Sequence, residues 1–249
     1  MIDFQMKLDF PQDRDDSFQN FILGLENQTC AELCRRFASL QEGEPKSLVI
    51  HGPTLSGKTH LLSAMGKVAS RRVGARAAIY IDCAALTGGG GELDIFGRLK
   101  EYVSAMDQAL FLTVDQLELA QENEELASLV FHLYNEVTAR PGGRFAAALS
   151  VDPAGWSFPQ WLSTRLLWGN VAKLRPVGDE ARPQVLIKMA ADMRMTLPSD
   201  AALWLVTRLP RDPSSQAQTL ARIDRLSLTK GKKISIPLIK EVVRQADGR

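Results

Sequence analysis

Apolar positions follow two patterns along this chain, and the change between them divides it. Up to about residue 175, short and mostly apolar runs at 47–51, 77–82, 109–115, 144–150 and 170–174 alternate with longer stretches in which apolar residues recur every three or four positions. The short runs predict strands buried on both faces, and the spaced stretches predict helices. Helices are expected over 28–40 behind a capping Asn27, and over 60–68. Two more are expected over 92–105, with Leu93, Phe96, Leu99 and Val103 on one face, and over 124–138, with Leu126, Leu129, Val130, Leu133 and Val137 as the buried stripe. Four consecutive glycines at 88–91 and the step Pro141-Gly142-Gly143 mark turns. From Pro176 onward helical spacing continues without strands, over 179–193, 200–209, 214–228 and 238–245. The order predicts an α/β unit over 17–175 with a parallel sheet between helices, then a small all-α unit over 176–249. Residues 1–16, polar around Asp13-Arg14-Asp15-Asp16, read as a flexible tail.

The first strand, Ser47-Leu48-Val49-Ile50-His51, runs into Gly52-Pro53-Thr54-Leu55-Ser56-Gly57-Lys58-Thr59, which fits G-x-x-x-x-G-K-[ST]. Strand, glycine turn and helix together are the context of a P-loop. The glycines let the backbone aim its N–H groups at phosphate oxygens, and the helix N-terminus adds partial positive charge. Lys58 would reach the β and γ phosphates, and the Thr59 hydroxyl would hold Mg²⁺. With His60 opening the helix, these residues are the candidate nucleotide site. Ile22 and Leu23, in the dense apolar segment with Phe18 and Phe21, are either plain core or the wall of an adenine pocket.

The third strand ends in Asp115, the Walker B position, where a carboxylate assists Mg²⁺ through water. Gln116 follows it, and an amide cannot take a proton from an attacking water. Glu118 is the acid nearest to taking that role. The fourth strand ends near Ser150 and Asp152, where a polar side chain would stand between the Walker B strand and the γ-phosphate if the strands are neighbours; Asp152 is the candidate sensor. Arg165, just before the fifth strand, is either one half of a surface ion pair or an arginine finger directed at a neighbour's nucleotide. His132, among the apolar residues of its helix, reads as structural.

Charge and composition narrow the class. The 249 residues carry a formal charge of +1, which argues against a dedicated nucleic-acid binder. No apolar run reaches the length of a bilayer span, and no signal peptide is seen. The three cysteines, Cys30, Cys34 and Cys83, lack metal-ligand spacing and read as reduced thiols of a cytoplasmic protein. In the tail, Gln5-Met6-Lys7-Leu8-Asp9-Phe10 alternates like an extended peptide that docks into a groove; the competing reading is an edge strand. A Gln, then an aliphatic residue, then a terminal Leu or Phe resembles the motif by which bacterial proteins bind the DNA sliding clamp. Gln5, Leu8 and Phe10 match it.

The parts in order resemble an AAA+ module. Ser17-Phe18-x-x-Phe21-x-x-Gly24-x-x-Asn27, Gly57-Lys58-Thr59-His60-Leu61-Leu62 and Leu162-Ser163-Thr164-Arg165-Leu166 are similar to the DnaA branch of that class. Asp224-Arg225-x-Ser227 and Lys233-Ile234-x-Ile236-Pro237-x-x-Lys240-Glu241-Val242 are similar to the C-terminal end of its Hda-like regulators. The helix-turn-helix segment that DnaA carries after its lid is not expected here. The resemblance implies a clamp-binding tail, ADP or ATP with Mg²⁺ in the P-loop, and Arg165 acting on the ATP of a DnaA partner. The other implied partner is the sliding clamp, the DNA polymerase III beta subunit. Little direct DNA contact, no membrane and either a monomer or a homodimer are implied as well. One departure stands out. The lid arginine of the class falls near Ser214 here, with Arg211 three residues earlier and Pro213 between them. Together with Gln116 this implies weak or no self-hydrolysis. Two other readings compete: a DnaA-like helicase-loader or transposition-helper ATPase acting on single-stranded DNA, and a nucleotide-dead clamp adaptor.

Overall fold

The computed structural model describes residues 16–87, 92–210 and 213–247. Five strands, β1 (Ser47–His51), β2 (Ala78–Asp82), β3 (Phe111–Asp115), β4 (Arg144–Leu149) and β5 (Asn170–Lys173), lie in the order β2-β3-β4-β1-β5. Every pair is parallel. Parallel neighbours need long crossovers, and helices supply them. In chain order the helices of this unit are α1 (Gln28–Ala38), which precedes β1, and the crossover helices α2 (Lys58–Val73), α3 (Cys83–Thr87), α4 (Glu92–Ser104), α5 (Glu124–Ala139) and α6 (Gln160–Leu167). The second unit follows as α7 (Arg182–Asp192), α8 (Ser199–Val206), α9 (Pro213–Lys230) and α10 (Ile236–Asp247).

The pleat sorts each strand between two cores. Leu48 and Ile50 of β1, with Tyr80, Phe111, Ala146 and Ala148, meet α1 and α2 on one face. Val49, Ile79, Ile81, Leu112, Val114, Phe145 and Ala147 meet α4, α5 and α6 on the other. Side chains that alternate along a strand thus both find apolar partners, which is why the strands read as unbroken apolar runs. Phe37 of α1 and Phe111 of β3 are fully buried, with ring centroids 5.9 Å apart. A buried ring of this kind is worth about 3–5 kcal/mol against alanine. Cys30 and Cys34 are buried free thiols packed in the same core, and Cys83 is buried in the opposite one. The lid has its own core, built on Leu186, Ala190, Leu205, Leu220, Ile223 and Ile239.

The expected strands and helices appear with small shifts. β2 begins at Ala78 because Ala75–Ala77 forms a 3-10 turn. α3 was not anticipated, being too short to show a period. Asn27 precedes α1 but its side chain does not cap the helix. Its Oδ1 instead accepts from the Gly24 N–H at 2.9 Å, and its Nδ2 donates to the Ile22 carbonyl at 3.0 Å. Asn123 does cap α5, accepting from the Leu126 N–H at 2.9 Å. Asp16, expected at the end of the tail, is buried against the core. The glycines at 88–91, together with Gln5, Leu8 and Phe10, lie outside the described residues. Among the described residues no helix is long and apolar enough to cross a membrane.

Candidate functional site

The strand order places three strand ends side by side. β4 pairs with both β1 and β3, so its C-terminal end lies between the turn after β1 and Asp115 at the end of β3. Crevices at the carboxyl ends of parallel strands are where α/β sheets bind ligands. Here a cavity of about 980 Å³ opens, lined from the core by residues 54–60, Phe21, Ile22, Asp115, Gln116, Glu118 and Ser150. The lid closes it with Val177, Arg182, Val185, Lys188, Met189 and Gln216. Its volume lies at the upper end of ordinary small-molecule sites.

The turn after β1 has the geometry its glycines predict. Gly57, at φ +100°, leads into α2, and a Cβ there would stand 2.8 Å from the Phe21 ring. Leu55 is held at φ +60° and its side chain is half exposed. A non-glycine residue in that region is strained, and such strain gathers at ligand clamps. The Ser56 hydroxyl is buried without a hydrogen-bond partner in the cavity wall. Lys58 is 8% exposed, and its ammonium donates to the carbonyls of Gly52 and Pro53, both at 2.8 Å. Burial pulls its pKa down, and the carboxylates of Glu118 and Asp115 oppose that.

Asp115 is a hub. Its Oδ2 accepts from Thr59 Oγ1 at 2.6 Å and from the Tyr80 hydroxyl at 2.9 Å, and its Oδ1 accepts from the Gln116 N–H at 2.9 Å. Burial raises its pKa, while these three donors hold the charged form. Thr59 and Asp115 stand together as a hydroxyl and carboxylate that fit a Mg²⁺ ion completed by phosphate and water. Gln116, at φ +55°, turns its amide to Asp82 at 2.8 Å. Glu118 is fastened from β4, accepting from the Ser150 N–H at 3.2 Å and from its hydroxyl at 2.5 Å. The buried, orphaned Ser56 hydroxyl, the positive-φ turn and the cation-plus-carboxylate set all fit a nucleoside di- or triphosphate.

Not every candidate is brought to the cavity. Ile22 lines it, whereas Leu23 is 43% exposed and lies outside its wall. Ser150 lines it, whereas the Asp152 carboxylate faces Lys173 at 3.1 Å and His51 at 3.6 Å. Gly52 and Pro53 contribute through the carbonyls that hold Lys58. Arg165 is outside the wall, with its guanidinium stacked over Trp168 at 4.0 Å and 5.9 Å from the centre of the Phe131 ring. His60 lines the cavity as well. Its Nε2 lies 2.7 Å from the Ser17 carbonyl and its Nδ1 3.2 Å from Asp16, which is also 3.6 Å from Lys188 of the lid. Arg211 lies outside the described residues, and of Ser214 only the backbone is described. Tyr80, Asp82, Asp16 and the whole lid wall were not singled out from sequence, because single residues spread over distant segments leave no local pattern.

Two family models match the chain. The model of the bacterial DnaA ATPase domain matches residues 12–171, and the model of the Hda lid domain matches residues 179–243. The chain belongs to the DnaA/Hda branch of AAA+ proteins. Solved structures share its fold. Domain III of the Thermotoga maritima replication initiation protein DnaA is 21% identical, with a TM-score of 0.75 over 93% of this chain and 96% of that one. AMPPCP-bound DnaA from Aquifex aeolicus is 18% identical, with a TM-score of 0.63, and this chain covers 64% of its length. The Thermotoga maritima RuvB Holliday junction branch migration motor is 13% identical, with a TM-score of 0.64 over 93% of this chain and 72% of that one. Like this DnaA/Hda-branch chain, these neighbours share an α/β sheet unit followed by a helical lid.

A pH prediction follows from the end of β1. The His51 side chain is 9% exposed. Burial holds its imidazole below the ordinary value, with Asp152 opposing and Lys173 assisting. The unfolded chain therefore takes up a proton near pH 6.5 that the folded protein resists. The contribution is fully present above about pH 6.5 and is lost as the pH falls toward the depressed folded value. His60, lowered chiefly by burial, acts in the same sense. The melting temperature is expected to fall between pH 7.5 and 5.5, and to fall less in His51→Gln. Equal falls would rule His51 out as a source.

Proposed function

We propose that this protein is an Hda-like negative regulator of replication initiation. In this reading it binds ADP or ATP with Mg²⁺ in the cavity and docks on the DNA sliding clamp through Gln5, Leu8 and Phe10. From there it presents Arg165 to ATP held by a DnaA partner. The observation that carries the reading is the position of Arg165, outside its own cavity wall and within an exposed patch of Trp161, Leu167 and Trp168. Aromatic residues around an arginine are the composition of a protein–protein hot spot. An arginine placed there adds positive charge where a partner's γ-phosphate develops negative charge in the transition state.

The nucleotide reading draws on the match to a DnaA ATPase domain, and on DnaA structures described as bound to AMPPCP. Lys58 would take the phosphate charge, and Thr59 with Asp115 would hold the ion. Bound Mg²⁺ would neutralise phosphate charge. The amide of Gln116 is committed to Asp82, and both oxygens of Glu118 are engaged by Ser150. The two side chains that follow Asp115 and could serve an attacking water are thus held by other groups, and self-hydrolysis is expected at background. Single-turnover phosphate release by the protein alone at ordinary AAA+ rates would make Glu118 the base and the loader-type ATPase the better reading.

The clamp contact is tested by binding the full chain to the cognate sliding clamp, beside a variant with Gln5, Leu8 and Phe10 changed to alanine. Binding lost in the variant supports the regulator. Equal binding removes the tail motif from the account.

A further inference from the structure

The lid contributes two basic side chains to the cavity wall, Arg182 and Lys188, and they are not equivalent. The ammonium of Lys188 is held by Asp192 at 2.5 Å and lies 3.6 Å from Asp16. It thus stands between two carboxylates of the protein. Arg182, the first residue of α7, uses only Nη1, which donates to Asp179 Oδ1 at 3.1 Å. Its Nη2 is buried and has no hydrogen-bond partner. The side chain is 14% exposed, while Asp179 is 55% exposed. A buried guanidinium nitrogen without an acceptor is uncommon in native proteins and calls for an explanation. Here the nitrogen belongs to a side chain in the wall of a cavity that also presents Lys58 and Thr59.

Gln216 is the residue of α9 in the wall, and its amide donates to the Pro210 carbonyl at 2.9 Å. It carries no charge. Among the described residues, Arg182 is thus a charged lid group in the cavity wall that carries, on Nη2, a buried donor without a partner. Its planar fork suits an oxygen-rich anion, and Asp179 fixes one edge of that fork.

We propose that Arg182 is the lid's ligand to a phosphate group of the bound nucleoside di- or triphosphate, tying lid to core across the cavity. The inference rests on the nucleotide reading of the cavity. It assigns to the first lid helix the phosphate contact for which the third has Ser214 at its start.

The test uses the full chain with Mg-ADP, following ADP affinity by calorimetry and the melting temperature with and without ADP. Wild type and Lys58→Ala are measured first. A wild type without ADP affinity overturns the nucleotide reading and this proposal together. With wild-type binding in hand, Arg182→Gln is expected to weaken ADP about tenfold or more, as loss of a charge-assisted hydrogen bond does. The melting temperature of its free form should stay near wild type, because the bond lost is to an exposed carboxylate. The rise produced by ADP should shrink. Arg182→Lys should recover part of the affinity, since it keeps the charge but not the fork. The affinity of Arg182→Gln should also depend less steeply on salt than that of wild type. Unchanged ADP affinity in Arg182→Gln overturns the proposal. So does a lowered melting temperature of the free protein with ADP affinity intact, which would mark the residue as structural. Weaker ADP with an unchanged salt dependence would point to a neutral acceptor and overturn the phosphate assignment.

Discussion

Replacing Arg165 by alanine is expected to reduce the activation of DnaA-bound ATP hydrolysis by about a thousandfold or more, the scale on which arginine fingers act in trans. The chain's own nucleotide affinity should not change, because Arg165 is outside the cavity wall. The side chain stands in the last turn of α6, stacked at 4.0 Å on Trp168, which is itself 67% exposed. The indole keeps the guanidinium at the surface and supports its planar face without neutralising it. Arg165→Lys keeps the charge but loses the bidentate fork, so it should recover little. The measurement is phosphate release from ATP-loaded DnaA with the clamp present, beside nucleotide affinity of the variant alone. Full activation by Arg165→Ala would remove the trans role. Loss of both activation and nucleotide affinity would mean the residue acts through its own fold.

Lys58→Ala is expected to lower nucleotide affinity by about a hundredfold or more, since a desolvated ammonium on phosphate is among the stronger contacts a site can make. Lys58 is buried, and its charge is favoured by Glu118 and Asp115. Removing it leaves the carbonyls of Gly52 and Pro53 without their donor, so the free protein should also lose about 1–3 kcal/mol. Calorimetry with Mg-ADP and thermal melts of the free variant separate the two effects. Unchanged ADP affinity would make the turn after β1 a structural relic and favour the adaptor reading. Clamp binding should survive the substitution, because the tail motif and the P-loop are separate segments.

The P-loop was legible because its chemistry is contiguous. Eight adjacent residues carry the turn, the cation and the hydroxyl, and the apolar run before them with the helical spacing after them fixes their setting. The same holds for Asp115, whose place at the end of a buried run is a local fact. The capping role of Asn27 was misjudged for the opposite reason. Its position before α1 is local, but its side chain is drawn to Ile22 and Gly24 by how the entry segment folds back. The choice between Ile22 and Leu23 was equally closed to sequence, since one residue of an apolar pair faces the cavity and its neighbour faces out.

The sequence by itself determined the parallel sheet of five strands between helices, the helical segment after it, the glycine turn ahead of Lys58, the aspartate at the end of β3 and the DnaA/Hda kinship, all of which rest on periodicity or on contiguous motifs. Only the tertiary structure decided what closes the site. The order β2-β3-β4-β1-β5 brings Ser150 onto Glu118, and the path of the lid brings Arg182 and Lys188 over the P-loop. Those contacts join residues between 32 positions and more than a hundred positions apart. Nothing in local propensity encodes such a pairing. It follows from which apolar faces must be buried together, and the polar side chains at the strand ends are carried with them.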